Sequence, residues 1–344
     1  MSEDKTQKIK GDMTMENKTP NFLEKVKDFF KGLSKKQLIA IIAAIVVVAV
    51  LIPVIILLPK GNSEPENNAP VAKDYKLVVV TDSAVDASNN KVSNHVLALV
   101  TDADGKIVAA RFDCAEMTPA LDAEGAVVAQ NSVQTKVELG DAYGDMGSGN
   151  WAEQTKAFED AIVGKTVEEA AAIDTALVAG CTMPYTPFTF KALLAKAATS
   201  ELKVSFSTAD AITLGVAINS KVAAGRSENA TVSSDFAGVV MADGKVVATM
   251  LDSCEQSFAI TEGALVAPEA AAVSKNDQGE GYKMDAGSWA KQAQAFANST
   301  VGKTIAELAN LELVSDALAA AGCTMQNTTG GYKTTIIAAA GYAR

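Results

Sequence analysis

The chain has 344 residues and a net charge of −11, with 48% hydrophobic and 6% aromatic residues, four cysteines and one histidine. Nine of its 30 basic residues are lysines within residues 1–36, which hold six acidic residues, so the remainder carries 21 basic and 35 acidic residues. The length accommodates two domains of ordinary size, and the acidic balance repels phosphate backbones and so excludes nucleic-acid binding.

In chain order, Asn21 to Lys31 comes first, with Phe22, Val26, Phe29 and Phe30 on one helical face and lysines around it. This pattern suits a helix lying on the inner membrane surface. The uncharged run from Leu38 to Leu58 follows. As a helix rising 1.5 Å per residue it spans roughly the 30 Å hydrocarbon layer, where Pro53 is tolerated. Lys31, Lys35 and Lys36 crowd its N-terminal flank against Lys60 on the other, so the positive-inside rule puts the N-terminus in the cytoplasm. The run is too long and starts too late for a cleaved leader. The expected layout is a Lys-rich cytoplasmic tail (1–36), a transmembrane helix (37–59), a flexible linker rich in Pro, Asn and Gly (60–73), and extracellular repeats at 74–199 and 200–344. The expected location is the cell membrane, crossed once.

Two copies of one module fill the outer part. Asp104-Gly-Lys106 recurs as Asp243-Gly-Lys245, Trp151-Ala-Glu-Gln154 as Trp289-Ala-Lys-Gln292, Val163-Gly-Lys-Thr166 as Val301-Gly-Lys-Thr304, and Gly180-Cys-Thr-Met183 as Gly322-Cys-Thr-Met325. Strands are predicted at Tyr75–Thr81 and, opening the second copy, at Leu202–Ser207; hairpins then turn at the Asp-Gly pairs. Glycine-rich loops lead to helices capped by Asn150 with Glu153, or by Ser288. Gly164 and Gly302 end them, and the boxes Thr166/Glu169 and Thr304/Glu307 start the next. Final helices are predicted at Phe188–Ala198 and Tyr332–Ala340. Strands followed by helices predict an α+β fold, each repeat an antiparallel sheet with helices packed on it.

Each repeat holds two cysteines, Cys114 with Cys181 and Cys254 with Cys323, the upstream one displaced by one position between copies. An intradomain disulfide in each copy is the predicted reading, four buried thiols the other. His95 stands alone, and no CxxC or HExxH spacing occurs, so neither a metal site nor a duplicated Ser-His-Asp or Cys-His arrangement is expected. No catalytic residue is named. Trp151 and Trp289 are expected as core anchors and the glycine-rich loops as connections rather than phosphate cradles.

The order of these blocks resembles tandem surface modules of Gram-positive bacteria and is similar to domains labelled FMN-binding. Members of that superfamily carry FMN as a phosphoester on the Thr of an Asp-x-x-Ser/Thr-Gly-Ala-Thr motif. The matching positions are Asp174 with Gly180-Cys181-Thr182 and Asp316 with Gly322-Cys323-Thr324. Here the Asp stands two residues further from the Gly, and Cys replaces Ala. The resemblance implies Thr182 and Thr324 as attachment residues if flavin is carried. The leading expectation is a non-catalytic, membrane-anchored module that binds a ligand or envelope component without a cofactor. An electron carrier with FMN on each repeat is the alternative, and a spacer in the cell envelope a third.

Overall fold

The computed structural model describes residues 70–344 apart from 132, 175–177, 184–185, 314 and 326–328. The tail, the apolar run Leu38–Leu58 and most of the linker lie outside the described residues. Among those described, no helix is long and apolar enough to cross a membrane. The chain divides into Met1–Asn68 and Ala69–Arg344, and both repeats fall within the second unit.

The first repeat contains β1 (Lys73–Asp86), β2 (Lys91–Asp102), β3 (Ile107–Met117) and β4 (Ala126–Val127), then α1 (Lys136–Leu139), α2 (Trp151–Ile162), α3 (Val167–Ala171) and α4 (Thr186–Thr199). After β5 (Val204–Thr208) the second repeat runs through β6 (Ile212–Val222), β7 (Gly225–Arg226), β8 (Ala230–Ala242), β9 (Lys245–Thr261) and β10 (Ala264–Val266). It closes with α5 (Lys275–Gln278), α6 (Trp289–Asn298), α7 (Ile305–Ala309), α8 (Asp316–Ala320) and α9 (Thr329–Gly341). The two principal sheets, β3-β2-β1-β5 and β10-β9-β8-β6, are antiparallel throughout, as the α+β reading expects.

Alternation along the strands builds the layers. Val78 and Val80 face the helices with Leu97, Phe112, Trp151 and Phe190, whereas Leu77 and Val79 face the other way, onto Phe236, Val240 and Met250 of the second sheet. Helices Trp289 to Asn298 and Thr329 to Gly341 cover the far side of that second sheet. The order of layers is therefore helix, sheet, sheet, helix. A strand buried on both faces needs apolar residues at every position, hence the unbroken runs Leu77–Val80 and Val96–Val100.

The capping boxes at Asn150/Glu153, Thr166/Glu169 and Thr304/Glu307 form with both reciprocal bonds, while Ser288 makes no side-chain cap on α6. Of the segment Leu202–Ser207, the part from Val204 on forms a strand, but not the opening strand of the second repeat. It is β5, and it pairs with β1 of the first sheet with Leu77 opposite Val204. The second repeat opens with β6, whose edge at Leu214 is closed in the same way by the backbone of Arg344, with N–H to O distances of 3.3 and 3.4 Å. After each last helix the chain returns to satisfy the edge amides of that repeat's first strand.

Candidate functional site

Each repeat builds the same polar box beside its tryptophan. Thr135 caps α1 in a capping box with Glu138, and Ser274 caps α5 by accepting from the Asp277 amide. The first residue of each short helix is a lysine. Lys136 Nζ lies 2.8 Å from Glu116 and over the rings of Tyr143 and Trp151, at 5.0 and 5.6 Å. Lys275 Nζ lies 3.0 Å from Glu255 and over Tyr282 and Trp289, at 4.9 and 5.8 Å. Burial opposes the charge on Lys136, yet Cys114, Glu116 and Tyr143 outweigh it and hold the ammonium above its ordinary value. Such stacking suits a partly desolvated cation.

A buried aspartate anchors each box. Asp113 accepts from the amides of Cys114 at 2.7 Å and Val137 at 3.2 Å, and Asp252 from those of Ser253 at 2.8 Å and Asn276 at 3.1 Å. Burial pushes Asp113 up to about 7 and raises Asp252 as well. Asp252 also accepts the Thr81 hydroxyl at 2.7 Å, tying the second repeat to the first.

The boxes differ in one cross-strand row. In the first repeat Asp82, His95 and Cys114 stand directly opposite one another on β1, β2 and β3. In the second, the row reads Asn219, Asp235 and Ser253. Beside the first row a cavity of about 260 Å³ is lined by His95, Phe112, Cys114, Glu116, Lys136 and Trp151. Burial opposes the charge on His95, but Cys114 and Asp82 together raise it to about 10.

The expected disulfides are not formed, for all four cysteines are free. Cys254 lies in the core between the sheets and Cys323 in the core under the second repeat's helices, so the sheet separates them. Counting from the Asp104 and Asp243 turns, Cys114 falls on Ser253 and Cys254 on Ala115. The one-residue displacement turns the side chain to the opposite face of the strand. Cys114 and Cys181 share the first helix-side core without a bond.

Thr182 and Thr324 sit exposed on matching loops, each held by the glutamine of Trp-x-x-Gln. Gln154 Oε1 accepts from the Thr182 amide at 2.7 Å and hydroxyl at 3.3 Å, and that hydroxyl also donates to the Met146 carbonyl in the glycine-rich loop at 3.1 Å. Gln292 Oε1 accepts from both the amide and the hydroxyl of Thr324, at 2.9 Å each. Gln154 also donates to the Gly149 carbonyl at 3.0 Å. Trp151 and Trp289 are buried in the helix-side cores, as expected of anchors. The box residues Glu116, Lys136, Glu255 and Lys275 were not singled out by the sequence reading. Their signal is a common offset from the two Asp-Gly turns, which also carries Asp113 onto Asp252 and Tyr143 onto Tyr282.

Between the repeats lies a cleft of about 730 Å³. Val79, Val80 and Met250 contribute to its floor, Leu202 to its wall, and Lys196, Asp277, Glu280 and Lys291 to its charged surface. The chain matches no family model, no curated protein and no solved structure.

Proposed function

We propose that this is a single-pass membrane protein presenting its two repeats on the outer face as a non-catalytic ligand-binding module, with the ligand seated in the cleft between them. The cleft is the observation that supports this reading. Its volume of about 730 Å³ falls within the common range of small-molecule sites, and it joins apolar floor to polar wall as such sites do. Four of its charged residues stand in two pairs, Lys196 with Asp277 at 2.5 Å and Lys291 with Glu280 at 2.8 Å, with Glu201 and Asp252 also on its lining. Partly exposed pairs are worth little on their own, so a ligand carrying both signs exchanges with them at low cost. An amphiphilic zwitterion is the ligand class that fits. The apolar run at Leu38–Leu58 and its lysine-rich flank support the anchor and the orientation.

FMN esterified to Thr182 and Thr324, in an outer-face electron carrier, is the second reading, and the exposure of both threonines favours it. Against it, each hydroxyl donates a proton to a buried glutamine, a bond that an esterified oxygen cannot make. One experiment separates the two: native and denaturing mass spectrometry of the full chain purified from its own host in mild detergent. A ligand that leaves on denaturation and is missing from Leu202→Trp, which fills the cleft, supports the binding module. A flavin-sized adduct mapped to Thr182 or Thr324 replaces it with the electron carrier, and a bare chain in both spectra overturns both.

A further inference from the structure

The first repeat carries a chemistry that the second lacks. The polar frame is common to both copies: a lysine over two aromatic rings, its glutamate and a buried aspartate. A feature present twice is explained by folding. The row Asp82, His95, Cys114 is present once, and its counterpart Asn219, Asp235, Ser253 holds neither thiol nor imidazole.

Residues directly opposite on antiparallel strands point to the same face, with Cβ atoms about 5 Å apart. The thiol, the imidazole and the carboxylate therefore lie in line on the helix side of the first sheet. His95 Nδ1 is 3.7 Å from Asp82 Oδ2, buried, and has no hydrogen-bond partner. The Phe112 ring stacks almost parallel to the imidazole, 6.1 Å away, which fixes its orientation. His95 and Cys114 both line the 260 Å³ cavity, with Trp151 and Phe112 as apolar walls and Lys136 adding a second cation. Histidine and lysine beside a thiol favour the thiolate, the nucleophilic form of cysteine.

We propose that Cys114 is a reactive nucleophile that hands its proton to the neighbouring His95 imidazole and reacts with small hydroperoxides. The cavity is smaller than the usual small-molecule site, which admits a hydroperoxide and excludes bulky electrophiles. In the reaction the Cys114 sulfur attacks the terminal oxygen of ROOH. The S–O bond forms as the O–O bond breaks, and the leaving alkoxide takes the imidazolium proton of His95 as ROH. Sulfur is oxidised by two electrons to the sulfenic acid, and the peroxide is reduced by the same two. Asp82 acts as a positioning residue that holds the charged imidazole in place, as in other nucleophile–histidine–acid rows.

The test is competition among the four thiols of the full chain in detergent, treated with less than one equivalent of hydrogen peroxide and mapped by peptide mass spectrometry. The expected result is oxidation at Cys114 ahead of the more exposed Cys181, with Cys254 and Cys323 unchanged. His95→Asn is expected to slow oxidation at Cys114 by at least about tenfold while leaving Cys181 as it was. If His95→Asn does not fold by circular dichroism, Asp82→Asn, at a half-exposed position, takes its place with a smaller loss expected in the same sense. In the second repeat, Ser253→Cys is expected to stay inert and to gain reactivity only with Asp235→His beside it. The proposal is overturned if Cys181 is oxidised first, or if removing the imidazole leaves the rate at Cys114 unchanged.

Discussion

At Gly238 on β8 the backbone of the second sheet lies directly against side chains of the first. A Cβ there would stand 2.5 Å from Val79 Cγ2 and 3.2 Å from the Ala98 Cβ, against an ordinary carbon–carbon contact of about 3.5–4.0 Å. Val79 is almost wholly buried, and its branched side chain has few rotamers to retreat into. Gly238→Ala must therefore push the sheets apart or strain Val79. Overpacking of this kind costs about 1–3 kcal/mol, of which about 0.4–1 kcal/mol is offset by the stiffer unfolded chain. A net loss of about 1–2 kcal/mol lowers Tm by about 2–4 °C in a unit of this size. Urea unfolding of residues 69–344 measures it, with Val79→Ala and the double mutant completing a cycle. Val79→Ala alone destabilises by leaving a cavity, but in the Gly238→Ala background it relieves the clash, so the double mutant is more stable than the sum of the single losses. Wild-type stability for Gly238→Ala, or a coupling below about 0.5 kcal/mol, would refute close packing of the two sheets. Two separate unfolding transitions would refute their shared core.

The free cysteines predict that reductant leaves Tm unchanged and that the denatured chain takes up four alkyl groups without prior reduction; fewer would restore a disulfide. Gln154→Ala removes the acceptor of the Thr182 amide and hydroxyl and the donor to Gly149. It should cost about 1–3 kcal/mol in urea unfolding, with amide exchange accelerated at residues 180–183. Asp113 and Asp235 have carboxyls raised by burial from 3.8 to about 7 and about 6. Between those values the folded state binds more protons than the unfolded one, so both contribute stability that is lost as pH rises from about 4 to 7. Asp113→Asn should flatten that fall, and an unchanged slope would show that Asp113 is ionised throughout. In the box, Lys136→Met keeps the stem over Trp151 but leaves half-buried Glu116 with Lys91, also at 2.8 Å, as its one remaining cation; it should destabilise by about 0.5–1.5 kcal/mol, measured by calorimetry.

The local elements are written in the sequence. Capping boxes, Asp-Gly turns and left-handed glycines act within a few residues, and their physics is complete in the segment that carries them. The duplication was equally legible, because repeated words need no coordinates. What each surface faces is settled by packing alone. The apolar runs at Leu77–Val80 and Val96–Val100 read as strands in either setting, and nothing local says that their second face meets another sheet rather than solvent. The exchange of β5 into the first sheet, the pairing of Arg344 with Leu214 and the close approach at Gly238 all follow from that packing. The cysteines show the limit most sharply. Similar spacing in the two copies predicted two disulfides, but strand parity turns Cys254 away from Cys323 and leaves Cys114 on the helix side. The same register lines up Asp82, His95 and Cys114, three residues scattered over 33 positions of the chain. Their alignment is a property of pairing between strands, which no single segment specifies.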